Sequence, residues 1–424
     1  YKHSVSRLNM LRGILVILDG IGDLPNKQLG DKTPLEVAEI PNMNFLATRG
    51  EIGYMYPVKP GFVPESDEAI VSIFGNKLIS STRGQLEAAG AGLKLIRGDL
   101  ALRVNFATID SLEKGNILDR RAGRNLTTEE AEILARALNN IKIPAVFEFV
   151  PTIQHRAVLV FKGGFSDDIS GNDSVYSEGK IKERSKIGIC NPLDDEDNSQ
   201  YTANVINEFL EKAYEVLENH PVNKERKRKG FLPANYLLVR GAGIEVPKLK
   251  QYPSWISVIN MPLEMGFSSL SGMKLNSIEY PKLKNLDAYQ NLYEGLKKMC
   301  EHSIKSIKKN LETNSYMYIH VKETDLPGHD NKPLEKKQMF EYIDKTLFKY
   351  IRKIAPPNKI KVVITGDHST PCKIKAHSAD PVPVLFYNNS EVPEAKHFNE
   401  KEARKGRLGR MNGDELLKKV GFLK

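Results

Sequence analysis

The residues best placed to do chemistry lie near the C-terminus, in Ile364-Thr365-Gly366-Asp367-His368-Ser369-Thr370, followed by His377 in Ala376-His377-Ser378-Ala379-Asp380. A carboxylate and an imidazole side by side, with a second imidazole on the same loop, offer oxygen and nitrogen ligands to a divalent cation. A second group is Thr324-Asp325-Leu326-Pro327-Gly328-His329-Asp330, where Asp325 and His329 stand four apart. On a turn or short helix that spacing lets both face one ion. Asp19, in Leu18-Asp19-Gly20, adds a third carboxylate, and Ser66, in Glu65-Ser66-Asp67, adds an alcohol. At a helix start a hydroxyl sits in a field suited to phosphate, and a cation beside it would make it a nucleophile. Each group alone has a plainer reading: Asp19-Gly20 is a turn, Asp367-His368 a surface turn, Ser66 a helix cap. Together they set three Asp residues beside three of the nine histidines in the chain.

The elements that would position them are legible. Gly13-Ile14-Leu15-Val16-Ile17-Leu18, Tyr316 to Val321 and Lys361-Val362-Val363-Ile364 read as buried strands, each running into one of the Asp-bearing loops. In open α/β sheets that end of the strands is where sites are built. Asp19, Ser66, Asp367 and His368 would hold one cation and Asp325, His329 and His377 a second, the pair clamping the oxygens of an in-line phosphoryl displacement. Carboxylate-rich ligation with histidine suits Mn²⁺ or Zn²⁺ and is less comfortable for Mg²⁺.

Length and composition bound the rest. At 424 residues the chain has room for two or three domains, and 40% hydrophobic with 27% charged residues is ordinary for a soluble globular protein. No apolar run reaches the length of a membrane span and no charged-then-apolar leader is present, so an intracellular, cytoplasmic setting is expected. Cys190, Cys300 and Cys372 have no metal-type spacing and suggest no disulfide framework. Cys372 lies beside the Asp367-His368 loop but reads as a small buried apolar residue. The net charge of +9 and the run Asn223-Lys224-Glu225-Arg226-Lys227-Arg228-Lys229-Gly230 raise nucleic-acid binding as a separate class. Acids are interspersed throughout, so the run reads as a solvated loop.

Taken in order, residues 1 to 9 precede Met10 and are expected to be an upstream extension. A helix is expected from Thr33 to Ala47, a strand near Ile52–Tyr56, and a helix from Asp67 to Phe74 capped by Ser66. From about Gly98 strands at Asp99–Thr108, Ala145–Val150 and Ala157–Phe161 alternate polar and apolar residues, implying an antiparallel sheet exposed on one face. Helices follow at Thr127–Asn139 and Tyr201–Leu217. Buried character returns at Tyr236–Val239 and Trp255–Ile259. Helices near Asp287–Leu311 and Leu334–Ile354, a last strand at Pro381–Tyr387 and a closing helix at Asn412–Val420 complete the chain. Strand and helix in alternation mean a mainly parallel sheet covered on both faces. The expected division is a discontinuous α/β core, 1–97 and 236–424, with a smaller α+β domain inserted at 98–235.

The combination Leu18-Asp19-Gly20, Glu65-Ser66-Asp67, Thr324 to Asp330, Gly366-Asp367-His368-Ser369 and His377 resembles the alkaline phosphatase superfamily. Gly30-Asp31-Lys32-Thr33-Pro34-Leu35-Glu36, Thr82 to Gly92, Asp119-Arg120-Arg121-Ala122-Gly123-Arg124, Pro233-Ala234-Asn235 and Arg240-Gly241-Ala242-Gly243 narrow the resemblance. They are similar to the archaeal-type cofactor-independent (2,3-bisphosphoglycerate-independent) phosphoglycerate mutases. The resemblance implies an alkaline-phosphatase-like core and a glycolytic and gluconeogenic isomerase acting on 3-phosphoglycerate through phosphoserine 66. It also implies two divalent ions, Mn²⁺ first with Zn²⁺, Co²⁺ or Mg²⁺ as alternatives, and no 2,3-bisphosphoglycerate. Substrate contacts are expected from Arg120, Arg121, Arg124, His155, Arg156, Arg240 and Lys322, with His155 or Lys322 assisting proton transfer. The partner implied is a small phosphoglycerate, with neither nucleic acid nor membrane, and a homo-oligomer is compatible. Two departures from the family pattern are Asn172-Asp173-Ser174-Val175-Tyr176, where an Asp-Pro-His segment is usual, and the missing lysine around Asp287–Leu292. The alternative reading is a phosphohydrolase or another phosphotransferase of the same superfamily, such as a homoserine-kinase-like relative.

Overall fold

In the computed structural model, residues 10–77, 83–173, 175–177, 180–182, 185–284, 287–393 and 395–423 are described. The upstream segment 1–9 and Thr82 lie outside them. The main sheet has eight strands in the order Lys274–Ser277, Trp255–Ile259, Tyr316–Val321, Gly13–Leu18, Lys361–Thr365, Val382–Tyr387, Gly50–Tyr56 and Gly409–Asn412. All run parallel except Val382–Tyr387, which is antiparallel to both neighbours. The central strand, Gly13–Leu18, is buried at every position, as a strand covered on both faces must be.

Register explains why the Asp-bearing loops meet. Leu18 lies opposite Val321 and Ile17 opposite Thr365. The chain therefore leaves three adjacent strands at one edge, delivering Asp19, Lys322 and Asp367 side by side. Gly20, at φ 62°, makes the turn after Asp19, and a Cβ there would press on the Thr370 hydroxyl at 2.6 Å. Because Val382–Tyr387 runs back along Lys361–Thr365, the loop between them closes on itself, and Ser378 N–H donates to Ser369 O at 3.0 Å.

The second sheet has five antiparallel strands built around Leu100–Ile109, with Arg156–Phe161 and then Phe147–Pro151 on one side and Tyr236–Gly243 on the other. Ile117–Asp119 pairs with its end. Helices Thr128–Leu138 and Asp197–Asn219 bury one face in a separate apolar cluster. Sequence alternation suggests that the other face is exposed, yet all ten residues of Leu100–Ile109 are buried. Arg103 and Asn105 on that strand line a cavity shared with the main sheet's loops. Polar side chains there mark a covered site. Pairing also gives Tyr236–Gly243 to this second sheet, whereas the sequence suggests a return to the core at 236.

Three local differences have plain causes. The helix expected across Thr33–Ala47 is two, Pro34–Val37 and Pro41–Thr48, because Pro41 forces Ile40 out of helical geometry. Glu65, in a capping box with Glu68, caps the next helix, so Ser66 is its first residue. The basic run is the helix Pro221–Arg228, with Asn223 and Arg226 buried, so it is not a solvated loop. The Ser66 helix is anchored at its far end by Phe74, whose ring sits 5.1–5.4 Å from those of Tyr252, Trp255, Phe267 and Tyr318. No helix among the described residues is long and apolar enough to cross a membrane.

Candidate active site

Asp19, Asp367 and His368 converge at the edge of the main sheet. His368 Nε2 is 3.1 Å from Asp19 Oδ1 and 3.5 Å from both Asp367 Oδ2 and Ser66 Oγ. Asp325 caps the short helix Leu326–His329, its carboxylate 3.2 Å from His329 Nε2 and 3.8 Å from His377 Nε2. The His368 and His377 rings stack at 3.6 Å. Two groups of donor atoms each fall within 4.8 Å of one another, Asp19/Asp367/His368 and Asp325/His368/His377. His368 thus belongs to both groups, and His329 stands next to Asp325.

The hydrogen bonds on the far side of the imidazoles fix their tautomers. His377 Nδ1 lies 3.0 Å from Pro64 O and His329 Nδ1 3.1 Å from Lys375 O. A carbonyl only accepts, so both Nδ1 atoms carry the proton. Thr370 gives its hydroxyl proton to Asp325 at 2.7 Å, so it accepts from His368 Nδ1 at 3.0 Å. All three rings therefore keep a proton on Nδ1 and direct Nε2 toward the carboxylates, the arrangement expected of metal-ligating histidine. The donor set fits a divalent cation: Asp19 Oδ1 and Asp367 Oδ2 are buried without a hydrogen-bond donor among the described residues. Burial lowers the affinity of His368 for its proton, but Asp367 and Asp19 outweigh it and push the ring up to about 9. Burial first, then His368, push His377 down to about 3. So much anionic character calls for positive charge at this point.

Lys322 supplies some of it. Its Nζ contacts Asp19 and lies 3.0 Å from Glu264 and 3.0 Å from Ser66 Oγ. Burial opposes its charge, but Asp19 and Glu264 raise it above the ordinary lysine range, so it stays an ammonium. Behind the site Lys336, fully enclosed, donates to Asp23 Oδ2 at 2.8 Å, Thr370 O at 3.0 Å and Gly22 O at 3.4 Å. It ties the loop after Asp19 to the loop after His368.

A cavity of about 260 Å³ opens from Ser66 to the second sheet. Arg120, Arg121, Arg124, His155, Arg156 and Arg240 all line it, but they differ in their partners. Arg120 pairs with Asp173, Arg240 with Glu65 at 3.2 Å and Asp173 at 3.6 Å. Arg124 forks onto Asp330 at 2.6 and 2.8 Å. Among the described residues, Arg121 and Arg156 form no ion pair. Burial, then Arg124 and Arg156, bring Arg121 down to about 10. Burial and the surrounding arginines, Arg156 foremost, hold His155 well below its usual range, so its ring is neutral, and among the described residues neither nitrogen has a hydrogen-bond partner. The loop carrying Arg120, Arg121 and Arg124 is strained: Ala122 and Arg124 lie at φ 46° and 58°, on either side of Gly123 at 72°. Left-handed backbone costs a residue with a Cβ about 1–2 kcal/mol.

Sequence reasoning did not single out Glu65, Arg83, Glu87, Arg103, Asp173, Glu264, His320 or Glu323. Arg83 bridges Glu65 at 3.0 Å, Asp67 at 3.4 Å and Glu87 at 2.8 Å, and Arg103 reaches Glu87 at 3.3 Å. Burial would raise Glu65, but Arg240 and Arg83 hold it well below the usual carboxylate range. His320 Nε2 is 3.4 Å from Asp367. The signal available for His320 was its place two residues before Lys322, on the strand that enters the site.

Comparison with known proteins agrees with this geometry. A family model described as 2,3-bisphosphoglycerate-independent phosphoglycerate mutase matches residues 47–223. Proteins of that name from Thermococcus kodakarensis and Pyrococcus furiosus are 39% and 40% identical, each match covering 96% of this chain and 95% of the relative. Among solved structures, a Pyrococcus horikoshii protein superposes with a TM-score of 0.73 at 31% identity, covering 98% of both chains. The cofactor-independent phosphoglycerate mutase of Thermoplasma acidophilum superposes at 0.55 and 29% identity, covering 97% of this chain and 99% of that one. With a serine set beside two clusters of donors that could hold metal ions and near-full-length identity of this order, the chain belongs to the family of metal-dependent 2,3-bisphosphoglycerate-independent phosphoglycerate mutases.

Proposed function

We propose that the chain interconverts 3-phosphoglycerate and 2-phosphoglycerate, with Ser66 carrying the phosphoryl group between the two hydroxyls. One observation carries the reading: Ser66 Oγ lies 3.0 Å from the Lys322 ammonium and 3.5 Å from His368 Nε2, at the mouth of an arginine-lined cavity. Asp19, Ser66, Asp367 and His368 would hold one divalent ion and Asp325, His329 and His377 the other, with His368 in reach of both. Mn²⁺ suits this oxygen-rich, histidine-containing set. The ions would activate the serine and neutralise the phosphoryl oxygens. Lys322, held cationic, steadies charge on those oxygens. Ser66 Oγ bonds to phosphorus as the bond from phosphorus to the glycerate oxygen breaks. The proton that Ser66 gives up is delivered to the departing glycerate oxygen, with the Lys322 ammonium, 3.0 Å from Ser66 Oγ, or His155 assisting the transfer. Arg121 and Arg156, the arginines without carboxylate partners, hold the glycerate carboxylate while it turns. Arg120, Arg124 and Arg240 shape the same wall through their ion pairs.

We further propose that the second sheet, closing at Gly243, forms the inserted substrate-binding unit, with 1–97 and the remainder to 424 as the catalytic core. The basic helix is not read as a nucleic-acid surface: Arg226 is buried, Arg228 and Lys229 pair with Glu225, and Lys227 with Glu218. A cytoplasmic setting follows from a glycolytic substrate. The test is phosphorus NMR of quenched mixtures of Mn²⁺-loaded protein with 3-phosphoglycerate. The expected result is 2-phosphoglycerate without matching inorganic phosphate. Inorganic phosphate as the sole product would replace the mutase with a phosphohydrolase.

A further inference from the structure

Arg226, the buried arginine of the basic run, has no place in the reaction described so far. Arg226 is 1% exposed, and each of its five N–H donors meets an oxygen. Nε donates to Leu232 O at 3.0 Å. One terminal nitrogen donates to Glu130 Oε2 at 2.8 Å and Asn125 O at 3.3 Å. The other donates to Asn125 Oδ1 at 2.5 Å and Ala122 O at 3.2 Å. Three of the five acceptors belong to Ala122 and Asn125, which bracket the left-handed Ala122-Gly123-Arg124 turn.

We propose that Arg226 is a positioning residue for the mutase reaction, locking the strained turn that presents Arg121 and Arg124 to the substrate cavity. Two of the three turn residues carry a Cβ and would relax out of the left-handed region if nothing held the turn's ends. A planar fork can grip Ala122 O, Asn125 O and Asn125 Oδ1 together, whereas the three donors of a lysine cannot reproduce its directions. The remaining donors tie that fork to Glu130, in the first turn of the helix that follows, and to Leu232, just after the basic helix. Arg124 N–H donates to Arg121 O at 2.9 Å, so the position of the turn is passed to Arg121 directly, while upstream Asp119 Oδ1 accepts from Arg121 N–H at 2.7 Å. Arg121 lines the cavity, and Arg124 reaches across to Asp330, the neighbour of His329.

The proposal rests on the reading of Arg121 as a clamp for the substrate carboxylate. It is tested with Arg226→Gln, Arg226→Lys, Asn125→Ala and Arg121→Gln in the full chain. The measurements are kcat and KM for 3-phosphoglycerate, Mn²⁺ affinity by calorimetry and the thermal midpoint. A small misplacement of a clamp costs up to ~10²-fold. The expected result is a rise in KM of about tenfold or more in Arg226→Gln and Arg226→Lys, with a smaller fall in kcat and unchanged Mn²⁺ affinity. Asn125→Ala, which removes the Oδ1 acceptor and leaves the carbonyls of Ala122 and Asn125 in place, should move KM the same way by a smaller amount. A loss of packing alone would lower the thermal midpoint without this split. An increased KM in Arg121→Gln beside wild-type kinetics in Arg226→Gln overturns the proposal and leaves the clamp standing. An unchanged KM in Arg121→Gln removes the clamp, and the proposal falls with it. Should Arg226→Gln fail to fold, wild-type KM in both Arg226→Lys and Asn125→Ala overturns it equally.

Discussion

Replacing Lys336 by Met tests whether the scaffold behind the site is held by charge. The methionine keeps most of the stem's packing and removes three donated hydrogen bonds, to Asp23, Thr370 and Gly22. Both side chains of the Lys336–Asp23 pair are fully enclosed. Leaving one buried charge unpaired costs about 3–5 kcal/mol. Asp23 keeps two backbone donors, Leu24 N–H at 2.8 Å and Cys372 N–H at 3.0 Å, which places the cost toward the lower end. With an unfolding entropy of about 2 cal/mol/K per residue, a chain of 424 residues should lose about 3–5 °C in thermal midpoint. Asp23→Asn keeps the carbonyl acceptor while discharging the pair. The double variant should therefore be more stable than the sum of the two single losses by about 1–3 kcal/mol. Urea unfolding of the four proteins at pH 7 measures this directly. A cost under about 1 kcal/mol for Lys336→Met, or strictly additive losses, would show that the buried charge contributes little and refute the reasoning.

Other outcomes follow from the site. Ser66→Ala should lower turnover by about 10⁴-fold or more while leaving the circular dichroism spectrum unchanged; activity near the native level would exclude a phosphoserine route. Chelation should abolish activity and Mn²⁺ should restore it, and full turnover in protein shown metal-free by elemental analysis would contradict the two-ion reading. Glu400, half-buried and accepting from Thr33 and Asp23 N–H, is pushed up to about 7, chiefly by burial. Its folded form holds a proton that the unfolded chain releases near pH 4.5, so its contribution to stability is full below that value and is lost as pH rises toward 7. Glu400→Gln should therefore raise the thermal midpoint relative to wild type at pH 8 and bring little or no gain at pH 4.5; an equal gain at both values would refute the assignment.

The convergence of Asp19, Asp325, Asp367 and His368 was legible because their supports are strongly patterned. Buried runs such as Gly13–Leu18 and Lys361–Thr365 advertise strands, and a carboxylate just past each marks a common edge. Asp325 and His329 carry their own geometry in a four-residue spacing. Glu264, Glu65 and Arg103 were not legible, since their approach depends on which elements lie side by side, and neither composition nor period encodes that order. Tyr236–Gly243 reads as core because it is buried, yet burial does not tell which sheet a strand joins. Arg226 was hidden by its neighbours: in a run of like charges, sequence does not reveal which one turns inward.

The single strand that runs backwards has a consequence for how this chain can vary. Because Lys361–Thr365 returns directly as Val382–Tyr387, with Ser369 bonded to Ser378, the separation between His368 and His377 is set by a closed loop. One residue inserted or deleted between them would slide the stacked rings past each other. Length changes should therefore be tolerated in peripheral connections and rejected here, so a library of random indels would find this stretch among the least forgiving in the molecule.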